Sequence, residues 1–330
     1  MAAFSASLAL LLPAAIAAVV AWAVLEALLR RPDLLPVATP NARSLHVGQV
    51  PRGGGLAIWA GWFAGTLWLP GDKPWLGPLL ILIALSLWDD RRGIHPAVRL
   101  VVHAAAAAAW LWLAAPGTEW VPAVIAIVWM TNLYNFMDGS DGLAGAMTLV
   151  GFGAYAAGAC LVGERDAALF VALAAATAPF LIRNLPPAQI FLGDVGSVPL
   201  GFLAAIFGIT GWRNGWWPGW FPALVFLPFI ADATVTLGRR LLTRARVWEA
   251  HREHFYQRLV QIGWGHSRTL AFHALLMIGT AGSAVAALAW IPVLGLPLLI
   301  GWGAVLLFVY AGIEYHWRRR RSPGGDESKC

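Results

Sequence analysis

Long apolar runs recur along almost the whole of this 330-residue chain. Such runs, with few or no charges, favour membrane-spanning helices, because lipid offers the backbone no hydrogen-bonding partner and a helix satisfies its own. The pattern predicts an all-α, polytopic membrane protein with about eleven transmembrane helices. The predicted spans are 7–29, 54–70, 75–88, 99–115, 120–134, 142–162, 167–183, 197–212, 217–238, 269–291 and 293–313.

The positions of the basic residues predict the orientation of these spans. The chain is 59% hydrophobic and 12% charged, with a net charge of +6. If the N-terminus is periplasmic, all but three of the 23 lysines and arginines lie on the cytoplasmic side, the exceptions being Lys73, Arg165 and Arg213. Cytoplasmic loops carry such an excess of basic residues. We therefore expect a periplasmic N-terminus and a cytoplasmic C-terminus, and we attribute the positive charge to topology rather than to nucleic-acid binding.

The chain is expected to form one transmembrane domain over residues 1–317, followed by a basic and polar cytoplasmic tail over 318–330. The two cysteines, Cys160 and Cys330, indicate neither a disulfide framework nor a metal site.

Acidic residues follow or precede three of the predicted spans on the cytoplasmic side. Asp89 and Asp90 follow the third span, Asp138 and Asp141 follow the fifth, and Asp194 precedes the eighth. A single acid at such a place is typically a helix cap or a solvated loop residue. Here three glycine-containing loops place acids at about the same membrane depth, where the helices of one bundle could bring them together.

Clustered carboxylates beside basic residues have a recognisable chemistry. Close like charges raise a carboxyl pKa, and a hard cation with oxygen ligands neutralises the remaining charge. An aspartate-rich cluster without cysteine therefore predicts a site for a diphosphate and Mg²⁺, with Mn²⁺ as an alternative.

Two further cytoplasmic segments supply basic side chains. The segment "RSLHVGQVPRGGG" carries Arg43, His46 and Arg52, and "EAHREHFYQRLVQIGWGH" carries His251 and His254. The two histidines are three residues apart, which on a helix would place them on one face. We favour phosphate or nucleotide binding by this pair over zinc binding, for which no third soft ligand accompanies them. A plain amphipathic interfacial helix is the remaining interpretation.

Five segments together resemble the polyprenyl-phosphate N-acetylhexosamine-1-phosphate transferase family. They are "RSLHVGQVPRGGG", "WDDRRGIHP", "NLYNFMDGSDGLAG", "FLGDVGSVPLGF" and "AHREHFYQRL". The resemblance is strongest to the branch that starts O-antigen or related surface polysaccharide synthesis. It implies transfer of a sugar-1-phosphate from a UDP-N-acetylhexosamine to undecaprenyl phosphate, with release of UMP, at the cytoplasmic face of a bacterial inner membrane. A homodimer is left open.

The resemblance also implies roles for individual residues. Asp89 would deprotonate or orient the lipid phosphate, and Asp90 would support Asp89 or the metal. Asn135 and Asp194 would hold Mg²⁺. The residues expected to contact the nucleotide sugar or its phosphates are Asp138, Asp141, His251, Arg252, His254 and Arg52.

One departure and several alternatives remain at this stage. The family's usual histidine segment is His-x-His-His, whereas Glu253 stands at the third position here, and Arg252 could compensate through its phosphate-binding guanidinium. The sequence leaves open direct attack or a phospho-aspartyl intermediate, with direct attack favoured, and N-acetylglucosamine, N-acetylfucosamine or N-acetylquinovosamine as the sugar. A transporter with Asp232 as an intramembrane coupling residue is the alternative from another class, and a non-catalytic scaffold is a third.

Overall fold

The computed structural model describes residues 2–38, 50–117, 119–245 and 251–321. Arg43 and His46 of the predicted basic segment, and the tail from residue 322 onward, lie outside these ranges. The described chain is almost entirely helical. Its helices are α1 (Ala2–Arg30), α2 (Gly55–Thr66), α3 (Leu76–Arg92), α4 (Pro96–Ala114), α5 (Trp120–Phe136), α6 (Leu143–Leu161), α7 (Ala167–Asn184), α8 (Asp194–Arg213), α9 (Trp220–Val225), α10 (Leu227–Leu242), α11 (Phe255–Leu259), α12 (Gly265–Trp290) and α13 (Gly295–Arg321).

The helices confirm the prediction of an all-α, multi-pass membrane protein. Among the described residues, seven helical segments are long and apolar enough to cross a membrane, and α5 is a shorter apolar helix. The count of eleven spans and the periplasmic position of the N-terminus stay predictions. The only strands in the described part of the chain are β1 (Val37–Ala38) and β2 (Val50–Pro51), which pair antiparallel.

Two predicted spans differ from the structure in informative ways. The span 217–238 is broken at Phe226, because Pro228 cannot donate the backbone hydrogen bond that would continue α9 into α10. The last helix continues to Arg321 rather than ending near residue 313. Its basic end is compatible with a helix because Glu314 pairs with Arg318 one turn later, at 2.7 Å.

Small residues allow α1 and α2 to pack at close range. Gly61 and Gly65 are one turn apart on α2, and both face α1. A Cβ atom added to Gly61 would lie 2.7 Å from the Cβ of Ala21 and closer still to the Ala17 carbonyl oxygen. Helices in membranes associate through such small-residue contacts, because lipid provides little hydrophobic force between them. Helix α1 also packs along α7, while α5 and α3 pack on α8 and bring their ends to one side of the bundle.

Gly61→Ala should therefore weaken the α1–α2 contact. We expect a loss of about 1–3 kcal/mol, typical of overpacking, and a lower melting temperature in detergent. Gly153→Ala is the matched control, since Gly153 lies in α6 with no atom within 4 Å of an added Cβ, and it should leave stability unchanged or raise it. Equal melting temperatures for the two variants would contradict the close-packing account.

Candidate active site

The turn between α3 and α4 holds the first acid of the site. Gly93 adopts φ +71° and ends α3, and Pro96 starts α4. The Ile94 backbone N–H donates to Asp89 Oδ1 at 2.6 Å, and Arg99 Nη1 on α4 lies 2.9 Å from Asp89 Oδ2. The same guanidinium nitrogen lies 3.5 Å from Asp194 Oδ2. Arg99 thus bridges two predicted site carboxylates.

Asp90 anchors the N-terminus of α8. Its two carboxylate oxygens accept hydrogen bonds from the backbone N–H groups of Asp194 and Val195, at 3.1 and 3.0 Å. Arg52 lies 3.5 Å from the same carboxylate. Gly193 makes this approach possible, because it has φ +78° and an added Cβ would lie 2.9 Å from both Arg52 Cγ and Asp90 Oδ2. Asp90 therefore holds the start of α8, and with it Asp194, against the end of α3.

The end of α5 brings an amide to Asp194. Asn135 Nδ2 donates to Asp194 Oδ1 at 2.9 Å and to Ser197 Oγ at 3.0 Å. Because both bonds use the amide nitrogen, the carbonyl oxygen of Asn135 is the atom suited to a cation.

The following turn carries Asp138 and Asp141. Asp141 Oδ2 accepts from the Ala188 N–H at 3.1 Å, and His266 Nδ1 lies 3.6 Å from Asp141 Oδ1 and 3.0 Å from Ser140 Oγ. These contacts form a second polar corner, apart from the Asp89–Arg99–Asp194 group.

His251 and His254 stand in a turn before α11 and not on a helix, which corrects the predicted helical spacing. Their rings nevertheless stack, with centroids 5.0 Å apart. Burial, followed by the neighbouring His254 and Arg240, lowers the pKa of His251 to about 4. In the absence of substrate His251 is therefore neutral near pH 7 and offers hydrogen bonds rather than positive charge.

Asp232 positions this turn from inside α10. Its side chain is fully buried and lies 3.1 Å from His254 Nδ1, and it accepts from the backbone N–H groups of Phe255 and Tyr256 at 3.0 Å each. Thr236 Oγ1 donates to it as well, at 3.2 Å. The carboxylate thus serves as a cap for α11, supplied from another helix. The transporter interpretation of Asp232 stays an alternative prediction.

One cavity of about 1060 Å³ joins these groups. Nine of the ten predicted site residues line it, and all nine are brought together by five separate elements. They are Arg52, Asp89, Asp90, Asn135, Asp138, Asp141, Asp194, His251 and His254. Arg252 is not among the described residues that line the cavity, and its predicted phosphate contact stays a prediction.

The cavity concentrates negative charge. Burial, followed by the charge of Asp194, raises the pKa of Asp90 to about 6. Burial, again followed by Asp194, raises the pKa of Asp138 well above its usual range. Arg52 and Arg99 offset only part of this repulsion. A positively charged ligand would relieve it.

The donor atoms fit a hard divalent cation. Asp194 accepts a hydrogen bond from the Asn135 amide and lies next to Asp89, so one cluster contains carboxylate oxygens and an amide group. Within the described residues, no three or more histidine, cysteine, aspartate or glutamate side chains are arranged to hold a metal ion. Magnesium normally takes one or two protein carboxylates and completes its shell with water and substrate phosphates, so this smaller donor set suits it.

Two functional candidates were missed at the sequence level. Arg99 was treated only as a basic residue at the start of a span, although its place just after the acidic turn was a usable signal. His266 follows the Gly263 and Gly265 turns, and nothing local in the sequence links it to Ser140 or Asp141, more than 120 positions away.

Comparison with known proteins shows what the chain is similar to. Residues 74–212, which include Asp89 to Asp194, match the sequence model of glycosyl transferase family 4. A probable undecaprenyl-phosphate N-acetylglucosaminyl 1-phosphate transferase of Bacillus subtilis is 28% identical over 70% of this chain and 71% of its own length. An undecaprenyl-phosphate alpha-N-acetylglucosaminyl 1-phosphate transferase of Yersinia pestis is 28% identical over 86% of both chains. Its counterpart of the same description in Escherichia coli K12 is 25% identical over 74% of this chain and 75% of its own length.

Fold and site together define a multi-pass α-helical membrane protein whose large cavity is built from acids, arginines and histidines at the ends of its helices. The matches above confirm the resemblance to the polyprenyl-phosphate N-acetylhexosamine-1-phosphate transferase family that the sequence motifs indicated.

Asp232→Asn should destabilise the turn that carries the histidines. An amide presents one acceptor oxygen instead of two, so at least one buried donor loses its partner, at a cost of about 2 kcal/mol. We expect a lower melting temperature, whereas Asp33→Asn, in an exposed turn, should behave like the wild type. A wild-type melting temperature for Asp232→Asn would contradict the capping role.

Proposed function

We propose that the protein transfers N-acetylhexosamine-1-phosphate from a UDP-sugar to undecaprenyl phosphate. In this reaction an oxygen of the lipid phosphate attacks the sugar-bearing phosphorus of the donor. The bond from that phosphorus to the bridging diphosphate oxygen breaks, and UMP leaves with this oxygen. The single observation that carries the proposal is that one cavity combines the acid and arginine cluster with an apolar flank.

The apolar flank suits the lipid acceptor. Helices α4 and α5 line the cavity with Leu100, Ala104, Val124, Ile125 and Val128. Leu100 and Ile125 are exposed on the outer surface of the helix bundle, where lipid would surround a membrane protein. An isoprenoid chain could lie along this flank while its phosphate reaches the polar end, where a water-soluble donor enters.

Asp89 is the acid best placed to receive or orient the lipid phosphate. It lines the cavity, and the Ile94 N–H and Arg99 fix both of its oxygens. Arg99 adds a cation suited to a phosphate oxygen. Asp90 uses both oxygens to hold the start of α8, which favours the supporting role that the resemblance implies.

Asp194 and Asn135 are the proposed Mg²⁺ ligands, with Mn²⁺ as an alternative. When bound, the cation would neutralise the donor diphosphate and stabilise the charge that develops on the departing UMP. Direct attack requires no covalent protein intermediate, and we retain it as the proposed route.

The remaining cavity residues are assigned to the nucleotide sugar. Asp138 and Asp141 shape its pocket, while His251, His254 and Arg52 contact its phosphates or uridine. We propose N-acetylglucosamine as the default sugar, with N-acetylfucosamine and N-acetylquinovosamine as alternatives. The product would begin O-antigen or a related surface polysaccharide at the cytoplasmic face of a bacterial inner membrane. A homodimer is compatible with this reaction.

The test is transfer of radiolabelled sugar phosphate by purified protein. A panel of UDP-N-acetylhexosamines is offered with undecaprenyl phosphate, with Mg²⁺, with Mn²⁺ or with a chelator. We expect labelled lipid only with a divalent cation, and a loss of at least about a hundredfold in Asp89→Asn and Asp194→Asn, since both remove groups at the reacting phosphates. Asp33→Asn is the matched control, because it removes the same charge outside the cavity.

The outcomes separate the proposals. Labelling from one donor identifies the sugar. Labelling that persists in both cavity variants would overturn the residue assignments. No labelling with any donor, by protein with a wild-type melting curve, would overturn the transferase proposal and return attention to transport.

A further inference from the structure

A cluster of charged residues lies behind the histidine turn and outside the cavity. Two carboxylates, one before α11 and one on α13, meet arginines from α10 and α11. We call this cluster the carboxylate clamp. Its members are Arg239, Arg240, Glu253, Arg258 and Glu314.

Each contact within the clamp joins a negatively charged carboxylate to a positively charged guanidinium group. Glu253 pairs with Arg239 Nη2 at 2.9 Å, with Arg240, and with Arg258 Nη2 at 3.8 Å. Glu314 pairs with Arg239 Nη1 at 2.6 Å and with Arg258. The Arg240 and Arg258 side chains are only 7% and 4% exposed. The partner carboxylates are more exposed, Glu253 at 38% and Glu314 at 22%, so it is the arginines that are poorly solvated, and removing a carboxylate leaves a nearly buried arginine less compensated.

Glu253 lies beside the cavity-lining histidines in the chain. It directly precedes His254, and one residue separates it from His251; both histidines line the cavity. None of the five clamp residues is among the described residues that line the cavity. Glu253 therefore pairs with arginines of α10 and α11, while His251 and His254 line the cavity.

We propose that Glu253 is a positioning residue, which together with Glu314 fastens the histidine turn to α10, α11 and α13 so that His251 and His254 meet the nucleotide sugar. The role in binding rests on the function proposed above. In this arrangement the glutamate at position 253 does more than replace a phosphate-binding histidine. It is the anchor that two consecutive arginines of α10 require.

The balance of charges in the clamp predicts the effect of replacing Glu253 by histidine. Among the described residues, four arginines, Arg318 included, pair with these two carboxylates, so removing one carboxylate leaves more positive charge beside the nearly buried Arg240 and Arg258. Glu253→His restores the residue of the family's usual histidine segment, but it removes the carboxylate that these arginines need. It should therefore loosen the turn rather than improve catalysis.

The first measurement is hydrogen exchange on purified full-length protein, which needs no substrate. Wild type is compared with Glu253→Gln, Glu253→His and Glu314→Gln. Glu164→Gln is the matched control, since Glu164 lies in the turn between α6 and α7. We expect amides in 251–259 to exchange about tenfold faster in the three clamp variants, as the loss of one charge-assisted hydrogen bond predicts. Amides of α6 should keep their wild-type rates.

The second measurement is steady-state transfer. The KM for the UDP-sugar should rise about tenfold in Glu253→Gln and Glu314→Gln, with kcat and the KM for undecaprenyl phosphate within a factor of about two. The Glu253→Gln/Glu314→Gln variant should show less than the product of the single effects, since both residues act on the same arginines.

Each outcome supports or overturns the inference. Faster exchange confined to 251–259 supports it, even if the wild type transfers no sugar and the proposed function fails. Wild-type exchange in Glu253→Gln and Glu314→Gln overturns it, as does faster exchange throughout the chain. Activity of Glu253→His equal to or above that of the wild type also overturns it.

Discussion

The structure depends on the capping of helix N-termini by side chains from other helices. Backbone N–H groups at the start of a helix have no partner within the helix and carry partial positive charge. Asp90 of α3 satisfies those of α8, Asp232 of α10 satisfies those of α11, and Asn184 of α7 accepts from the N–H of Gly142 before α6. Each bond joins elements that are distant in sequence and fixes a loop at the rim of the cavity. Because the same carboxylates hold the helices and shape the site, folding and site assembly cannot be separated here.

This dependence explains what the sequence could predict. Each apolar run of this chain predicts a membrane-spanning helix from the local sequence alone. Most helices of the structure therefore lie close to the predicted spans. The placement of Asp89, Asp138 and Asp194 at span ends could be predicted for the same reason, since a boundary position needs only the span and the orientation. Their convergence was a hypothesis that the cavity now bears out. The place of Arg99 just after the acidic turn is a local signal, but its contact with Asp194 depends on the start of α4 facing the start of α8, which no local pattern encodes.

The histidine turn shows the opposite limit. A spacing of three residues suggested one helix face, but His254 precedes the first turn of α11 instead of lying within it. The reason lies in α10: Asp232 captures the first backbone N–H groups of α11 and the His254 ring at once. Asp232 is structural in its contacts, and through them it determines where the cavity residue His254 stands.

Carboxylates and arginines occur in opposite proportions in the carboxylate clamp and in the neighbouring cavity. In the carboxylate clamp, the described arginines outnumber the acids, and each acid pairs with at least two of them outside the cavity. In the cavity the acids outnumber Arg52 and Arg99, and the pKa values of Asp90 and Asp138 are raised by burial and mutual repulsion. If a diphosphate enters as proposed, each arginine that turns to a phosphate oxygen leaves a carboxylate less neutralised. A dianionic acceptor and an anionic donor could then share this cavity only with additional positive charge. With the proposed substrates bound, the acid excess is thus an electrostatic argument for a cation at Asp194 and Asn135.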